Sequence, residues 1–532
     1  MTLPKTLKNV ISVIFTLLIL IGILVQTMFG KYPQEYKSNA IVTIVVVLTM
    51  AICVWGYLYI RKLLKKKNIT NNKQKIFEIL YLLLLTIVSR SIFGILFLDS
   101  TLKLEQLSTL HVDLIKLIPS YDTWYHMIEK VNNIFNSASI TVYIINTLLF
   151  IVIMYTFRKI LKLIVSNEAV TTASTILFIL YPKYMYYSTV ISIEYLNACL
   201  VMGAILLLVL IIREVKKAKK NKITYLIYSV LMGLFALASV YINTSLIMWL
   251  LAIIILNFFI DETDFIKIRM SKSKINKATL ANKAKISKIK SIRVKKILLS
   301  MITIFITMII SSIVLNIFSN IILHKDYSFY TSRNYTRLFS VISQKEAREE
   351  MLNANFKETL DRSTGKYNIG NTLNNVLNLN KKGEYGNSSK LVSTITKTII
   401  KTNDFKENFK NFASKNMNII KNDTNRQVKS KSEQLLQSYM KLGNGVYKFI
   451  FIAILISEVI HFVVKRKKDA LSALIKMLVI LFSTTMIVSG NSSENAIEIN
   501  ILLQIILIVN WTGIYYNRDD KIKLLNPSKF KY

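Results

Sequence analysis

The chain has 532 residues, 52% of them hydrophobic, and carries 69 Lys+Arg against 30 Asp+Glu, a formal charge of +39. The apolar residues come in blocks of about 20, the length needed to cross a bilayer as helix, separated by short Lys/Arg-rich spacers. Only 5 Pro and 14 Gly leave little material for turns. The composition excludes a soluble globular protein and a secreted disulfide scaffold. It also excludes an outer-membrane barrel, whose strands would alternate in short segments.

Twelve spans are expected, at 9–29, 40–60, 77–98, 139–157, 169–187, 190–212, 223–241, 244–260, 297–322, 446–464, 470–489 and 499–516. The fold class is therefore an all-α membrane protein. Four parts follow: two leading spans and a basic cytoplasmic loop over 1–76, a core over 77–322, a mostly helical extracytoplasmic region over 323–445, and three closing spans with a cytoplasmic tail over 446–532. The first span reads as an uncleaved anchor, because Met28-Phe29-Gly30-Lys31 offers no small-residue cleavage site.

Charge sets the expected orientation. With the N-terminus inside, the inner segments hold 39 Lys+Arg and the short outer ones six, as the positive-inside rule requires. Both termini then face the cytoplasm of a plasma-membrane protein. The basic loop 261–296 holds twelve Lys+Arg but only Phe265 among aromatics. Nucleic-acid binding would want stacking partners, so anionic lipid headgroups are the expected contact and nucleic acid is not. Region 323–445, at 123 residues, falls outside the charge rule. A capping-box spacing at Ser343 and Glu346 predicts helix there. So do apolar faces at Phe405, Phe409 and Phe412, and at Leu435, Leu436, Tyr439 and Met440.

Several chemistries lack their signatures. There is no phosphate-binding G-x-x-x-x-G-K-[ST] loop and no G-x-S-x-G elbow. The two cysteines, Cys53 and Cys199, lie in apolar runs, and the four histidines have no ligand spacing. No resident cofactor is read, and divalent-metal dependence stays open.

Two outer segments carry polar groups in apolar settings. The first is Pro119-Ser120-Tyr121-Asp122, followed by Trp124, Tyr125 and Ile128. Asp122 can cap a short interfacial helix or accept a proton from a hydroxyl. The second runs from Leu180-Tyr181-Pro182-Lys183 to Glu194 and Asn197. A carboxylate beside hydrocarbon is costly and wants a partner or a task; a helix-start Glu interacting with the dipole is the plain alternative. Arg90, inside the third span, is costly for the same reason and is expected to line a cavity.

Asp122 and Tyr125 in Pro-Ser-Tyr-Asp-x-x-Tyr, Asn146 in the next helix, and Leu-Tyr-Pro-x-x-x-Tyr-Tyr-Ser-x-x-x-Ser-x-Glu-x-Leu ending at Glu194 and Leu196 resemble the GT-C superfamily of membrane glycosyltransferases. The family 39 and protein-mannosyltransferase-like branch is the nearest, over approximately 77–260. The resemblance implies transfer of a sugar from a polyprenyl-phosphate donor to an acceptor hydroxyl of a cell-envelope glycan, lipid or protein on the outer face, with inversion. Asp122 would be the general base, Asp99 the second choice, and Glu194 a further polar group of the site. By location alone, Lys183 and Arg333 or Arg337 are the candidates to meet the leaving phosphate; Tyr125 and Asn146 would contact substrate, and Arg90, chosen for its cost inside a span, is placed with them. The chain departs from the family in its two leading spans, in its unmatched region 323–445, and in Tyr241-Ile242-Asn243-Thr244, where members often carry Arg-Pro.

Two other readings stay open. An envelope-polysaccharide polymerase or ligase would lean on Arg333 more than on Asp122. A non-enzymatic transporter or scaffold would be expected to show repeated halves with broken helices.

Overall fold

The computed structural model describes residues 40–66, 70–106, 119–135, 138–165, 167–187, 193–216, 222–242, 278–321 and 497–516, with shorter pieces and single positions between 249 and 460. The longer stretches hold ten helices: α1 (Ala40–Lys66), α2 (Asn71–Gln106), α3 (Pro119–Phe135), α4 (Ala138–Ile164), α5 (Glu168–Ile179), α6 (Pro182–Tyr187), α7 (Glu194–Lys216), α8 (Lys222–Ile242), α9 (Ala278–Ile321) and α10 (Ile497–Tyr516). Six segments are long and apolar enough to cross a membrane, lying in α1, α2, α4, α7, α8 and α9. They correspond to the expected spans at 40–60, 77–98, 139–157, 190–212, 223–241 and 297–322. The spans at 9–29 and 470–489 lie outside the described residues, and those at 244–260 and 446–464 are described only at scattered positions.

α7 is the hub. It packs most extensively on α8, then on α4, and also touches α9 and α10. Its side chains Val201, Met202, Ala204, Ile205, Leu208 and Ile211 have no solvent exposure. α1 and α9 instead show apolar residues on their outer faces, such as Ile44, Val47, Ile52 and Trp55, and Ile306, Ile309, Ile313 and Ile317. In water such a surface would be an aggregation hazard; in lipid it is the expected outer wall of a multi-pass membrane protein.

Small residues let the central helices approach. A Cβ on Gly203 would stand 2.6 Å from the Phe235 ring, and one on Gly233 would stand 3.0 Å from the Ile304 carbonyl oxygen. Close backbone approach at glycine is a recurrent way to join helices when lipid removes the hydrophobic drive for association.

Three expected boundaries shift. The span expected at 169–187 is two helices, α5 and α6, separated at Leu180-Tyr181. Pro182 has no N–H to continue the ladder and disfavours helical backbone at Tyr181 before it. α9 starts at Ala278, so much of the basic segment expected as loop is continuous with the span. Nothing between 278 and 321 is Pro or Gly, and Lys and Ala are good helix formers. Finally, Asp122 lies within α3, three residues after Pro119, rather than capping it.

The helices give the bundle two distinguishable ends. Arg61, Arg158, Lys162, Arg213 and Lys296 mark a basic end. The far end holds the start of α4, the α5–α6–α7 connection and the start of α10. Region 323–445 is described only in pieces, with helix at 386–393 and in the short run around 434–439.

Candidate functional site

The far end contains a buried cation. Arg90 is 0% exposed. Its Nη1 donates to the Tyr184 carbonyl oxygen at 3.0 Å, and its guanidinium carbon lies 3.5 Å from the Phe150 ring centroid. A desolvated cation over an aromatic face is stabilised by about 2 kcal/mol. Tyr184 is the third residue of α6, just past the break at Leu180-Tyr181. Tyr195, at the start of α7, donates its hydroxyl to the same oxygen at 2.5 Å. Two chain segments are thus pinned around Arg90 by one backbone carbonyl. Among the described residues, Arg90 Nε and Nη2 have no hydrogen-bond partner.

α4 supplies the facing wall. Tyr143 hydrogen-bonds Ser91 at 2.7 Å, and its ring would lie 3.2 Å from a Cβ on Gly94. Asn146 and Phe150 follow on the same face at helical spacing, and Asn146 is buried. The Asn146 position therefore lies one turn from the ring that holds Arg90. Behind it, Phe150, Phe178 and Phe157 stack, with centroids 5.4 and 4.1 Å apart along the series.

The other expected site residues are placed by their helices. Asp99 lies on α2 nine residues beyond Arg90, about 13 Å along the axis. Asp122 and Tyr125 are on α3, which packs against α4 and α8. Lys183 is on α6, next to Tyr184. Glu194 is the first residue of α7, adjacent to Tyr195, where the helix dipole favours a carboxylate. The side chains of Asp99, Asp122, Tyr125, Lys183 and Glu194 lie outside the described atoms, and Arg333 lies outside the described residues altogether. Arg90, Asn146 and the backbones at Lys183 and Glu194 are therefore gathered at one end.

Two polar clusters escaped the sequence reading. At the far end, Asn197 Nδ2 donates to Glu498 Oε1 at 2.8 Å, joining α7 to α10 across 301 positions. Both residues are buried, as is Asn500. At the basic end, Glu78 accepts from Tyr57 at 2.8 Å and from Arg158 at 2.6 Å. Arg61 and Lys162 lie 4.0 and 3.9 Å from the same carboxylate and also approach Glu168. Arg158 reaches Thr172 at 3.5 Å. Asn167 caps α5, its side chain accepting from Ala169 and Val170, and so fixes Glu168 at the mouth of this cluster. The isolated acids Glu78 and Glu498, each close to an end of an apolar run, were the available signal.

A third feature belongs to region 323–445. Leu436 is buried against Phe93 and Met185, with Phe97 and Tyr439 alongside. The Tyr439 and Phe93 rings are 5.2 Å apart. Burial pushes the Tyr439 phenol up, and the nearby Arg90 charge pulls it the other way. This cluster is separate from the main core.

Among the described residues, no group of three or more His, Cys, Asp and Glu side chains is placed to hold a metal ion. Comparison with family models, curated proteins and solved structures returned no match.

Proposed function

We propose that this chain is a membrane-embedded glycosyltransferase of the GT-C type, moving a sugar from a polyprenyl-phosphate donor to an acceptor hydroxyl of the cell envelope. The observation that carries the reading is the gathering of Arg90, Asn146, Tyr195 and the start of α7 at the end of the bundle opposite the basic one. Under the positive-inside rule that far end faces outward. A lipid-linked donor keeps its tail in the bilayer and its charged head at the surface, and an enzyme for it needs polar groups at that depth.

In this mechanism Asp122 takes the proton from the acceptor hydroxyl as general base; Asp99 is the alternative base. The acceptor oxygen attacks the anomeric carbon from the face opposite the phosphate. The bond from that carbon to the phosphate oxygen breaks, and its electron pair leaves with the polyprenyl phosphate. Cations and donors held in place before reaction stabilise the leaving group. Arg90, Lys183 and Arg333 are assigned that task. Glu194 orients the acceptor or base, and Tyr125 and Asn146 contact substrate.

Membranes containing the chain, incubated with a panel of polyprenyl-phosphate sugars, should form a glycosylated envelope product from one of them. Absence of any chain-dependent product across the panel would remove the proposal.

A further inference from the structure

We propose that Arg61 and Lys162, at the basic end of the bundle, hold the phosphate of an anionic membrane lipid, and that Glu168 competes with it for both cations. The site lies at the opposite end from Arg90 and Tyr195 and does not depend on sugar transfer.

The argument begins with Glu78. Both of its oxygens are engaged by short bonds, Oε1 by the Tyr57 hydroxyl at 2.8 Å and Oε2 by Arg158 at 2.6 Å. One arginine therefore neutralises this carboxylate. Arg61 and Lys162 approach it only to 4.0 and 3.9 Å, too far for a hydrogen bond. Arg61 Nε is buried with no hydrogen-bond partner. The other carboxylate within reach of both cations is Glu168, at 3.6 and 3.7 Å. Three cations thus share two carboxylates, and the second acid serves two cations at long range. Glu168 is also the most open member, its side chain 43% exposed against 16% for Arg61 and 26% for Lys162. A phosphodiester carries one negative charge and closes this balance. A guanidinium fork fits phosphate oxygens, and lysine binds phosphate as a point charge.

Depth selects a lipid as the source. Arg61 and Lys162 stand in the last turns of two apolar segments, Ile44–Leu64 and Ile140–Ile164, where hydrocarbon gives way to headgroups. Aromatic residues mark the same zone. Trp55 and Tyr59 stack on the outer face of α1 with centroids 5.5 Å apart, and both are exposed. On α4, Tyr155 is exposed and Lys159 Nζ lies 5.7 Å from its ring centroid. Exposed Trp and Tyr beside cations are the pattern of a membrane–water boundary. Lys62 and Lys73, exposed at the same end, suit diffuse attraction to a charged surface. Arg61 and Lys162 instead converge from two helices on one carboxylate at a half-buried mouth, as a site for a single headgroup requires.

The test uses the full chain, stripped of lipid in maltoside micelles, with phosphatidylglycerol, phosphatidylcholine and inorganic phosphate as separate probes. Native mass spectrometry counts the bound molecules. The expected result is one phosphatidylglycerol held about tenfold more tightly than phosphatidylcholine. Arg61→Gln with Lys162→Gln, which spares the Arg158–Glu78 pair, should weaken that binding about tenfold. Glu168→Gln should tighten it roughly threefold, the scale of one exposed ion pair. Lys62→Gln with Lys73→Gln should leave it unchanged. Equal loss in the two double variants, or no preference over phosphatidylcholine, reduces the binding to diffuse charge and overturns the proposal. Inorganic phosphate held as tightly as phosphatidylglycerol overturns the lipid as its source. Should the Arg61 and Lys162 double variant fail to fold, Glu168→Gln decides alone: unchanged or weaker affinity overturns the site. Binding is read without turnover, so a chain that binds in this way yet transfers no sugar keeps the inference and loses the transferase reading.

Discussion

Arg158 on α4 donates to Glu78 on α2 across 2.6 Å, and the carboxylate is 4% exposed. Around this pair Arg61 and Lys162 bring α1 and the end of α4 to the same oxygens, while Tyr57 adds a neutral hydrogen bond. One carboxylate therefore organises the basic end of three helices.

Glu78→Ala should be the most damaging substitution at that end. It leaves buried Arg158 without its ion-pair partner, a loss of about 3 kcal/mol for a broken buried pair. The thermal midpoint in detergent should fall clearly, and Glu78→Leu combined with Arg158→Leu should recover part of the loss. Equal stability of Glu78→Ala and the native chain would show that the cluster contributes nothing.

The close approach of α7 and α8 can be tested at Gly203. Its added Cβ would meet the Phe235 ring at 2.6 Å, and overpacking of this kind costs about 1–3 kcal/mol. Gly203→Ala should lower the midpoint, and Phe235→Leu in the same chain should restore some of it. An unaltered midpoint in Gly203→Ala would mean that the ring gives way freely.

Asn197→Leu should loosen the attachment of α10. Removing the donor that reaches Glu498 at 2.8 Å takes a hydrogen bond from a buried acid, about 1–3 kcal/mol. Hydrogen exchange should rise first in α10. Exchange rising uniformly through the bundle would contradict a local tie.

The orientation can be read by labelling. Asn387 is exposed in the described helix of region 323–445, and Lys285 belongs to the basic extension of α9. In intact cells Asn387→Cys should react with an impermeant maleimide and Lys285→Cys should not. The reverse pattern would invert the topology.

Length and hydropathy made α1, α2, α4, α7, α8 and α9 legible, because crossing a bilayer demands a long unbroken apolar run. Pro182 could have been used to divide 169–187, yet the apolar run on both sides masked the break. The helical start of α9 was hidden because lysine-rich sequence suits both a solvated loop and a helix. The pairing of Asn197 with Glu498 could not be read from one sequence, since nothing local to either position specifies a partner 301 residues away. Arg90 was legible as costly inside a span, but its neutral carbonyl partner was not. That partner is a backbone carbonyl on α6, 94 positions from Arg90, and nothing local to Arg90 specifies it.

The central claim is that Asp122 carries sugar transfer from a lipid-linked donor. Transfer by purified Asp122→Asn, with the accepted polyprenyl-phosphate sugar and its acceptor, tests it most directly, alongside a check that the variant inserts and folds as the native chain does. The account predicts product formation reduced at least a hundredfold, within the range expected for loss of a general base. Turnover at the native rate by a folded Asp122→Asn chain would contradict it.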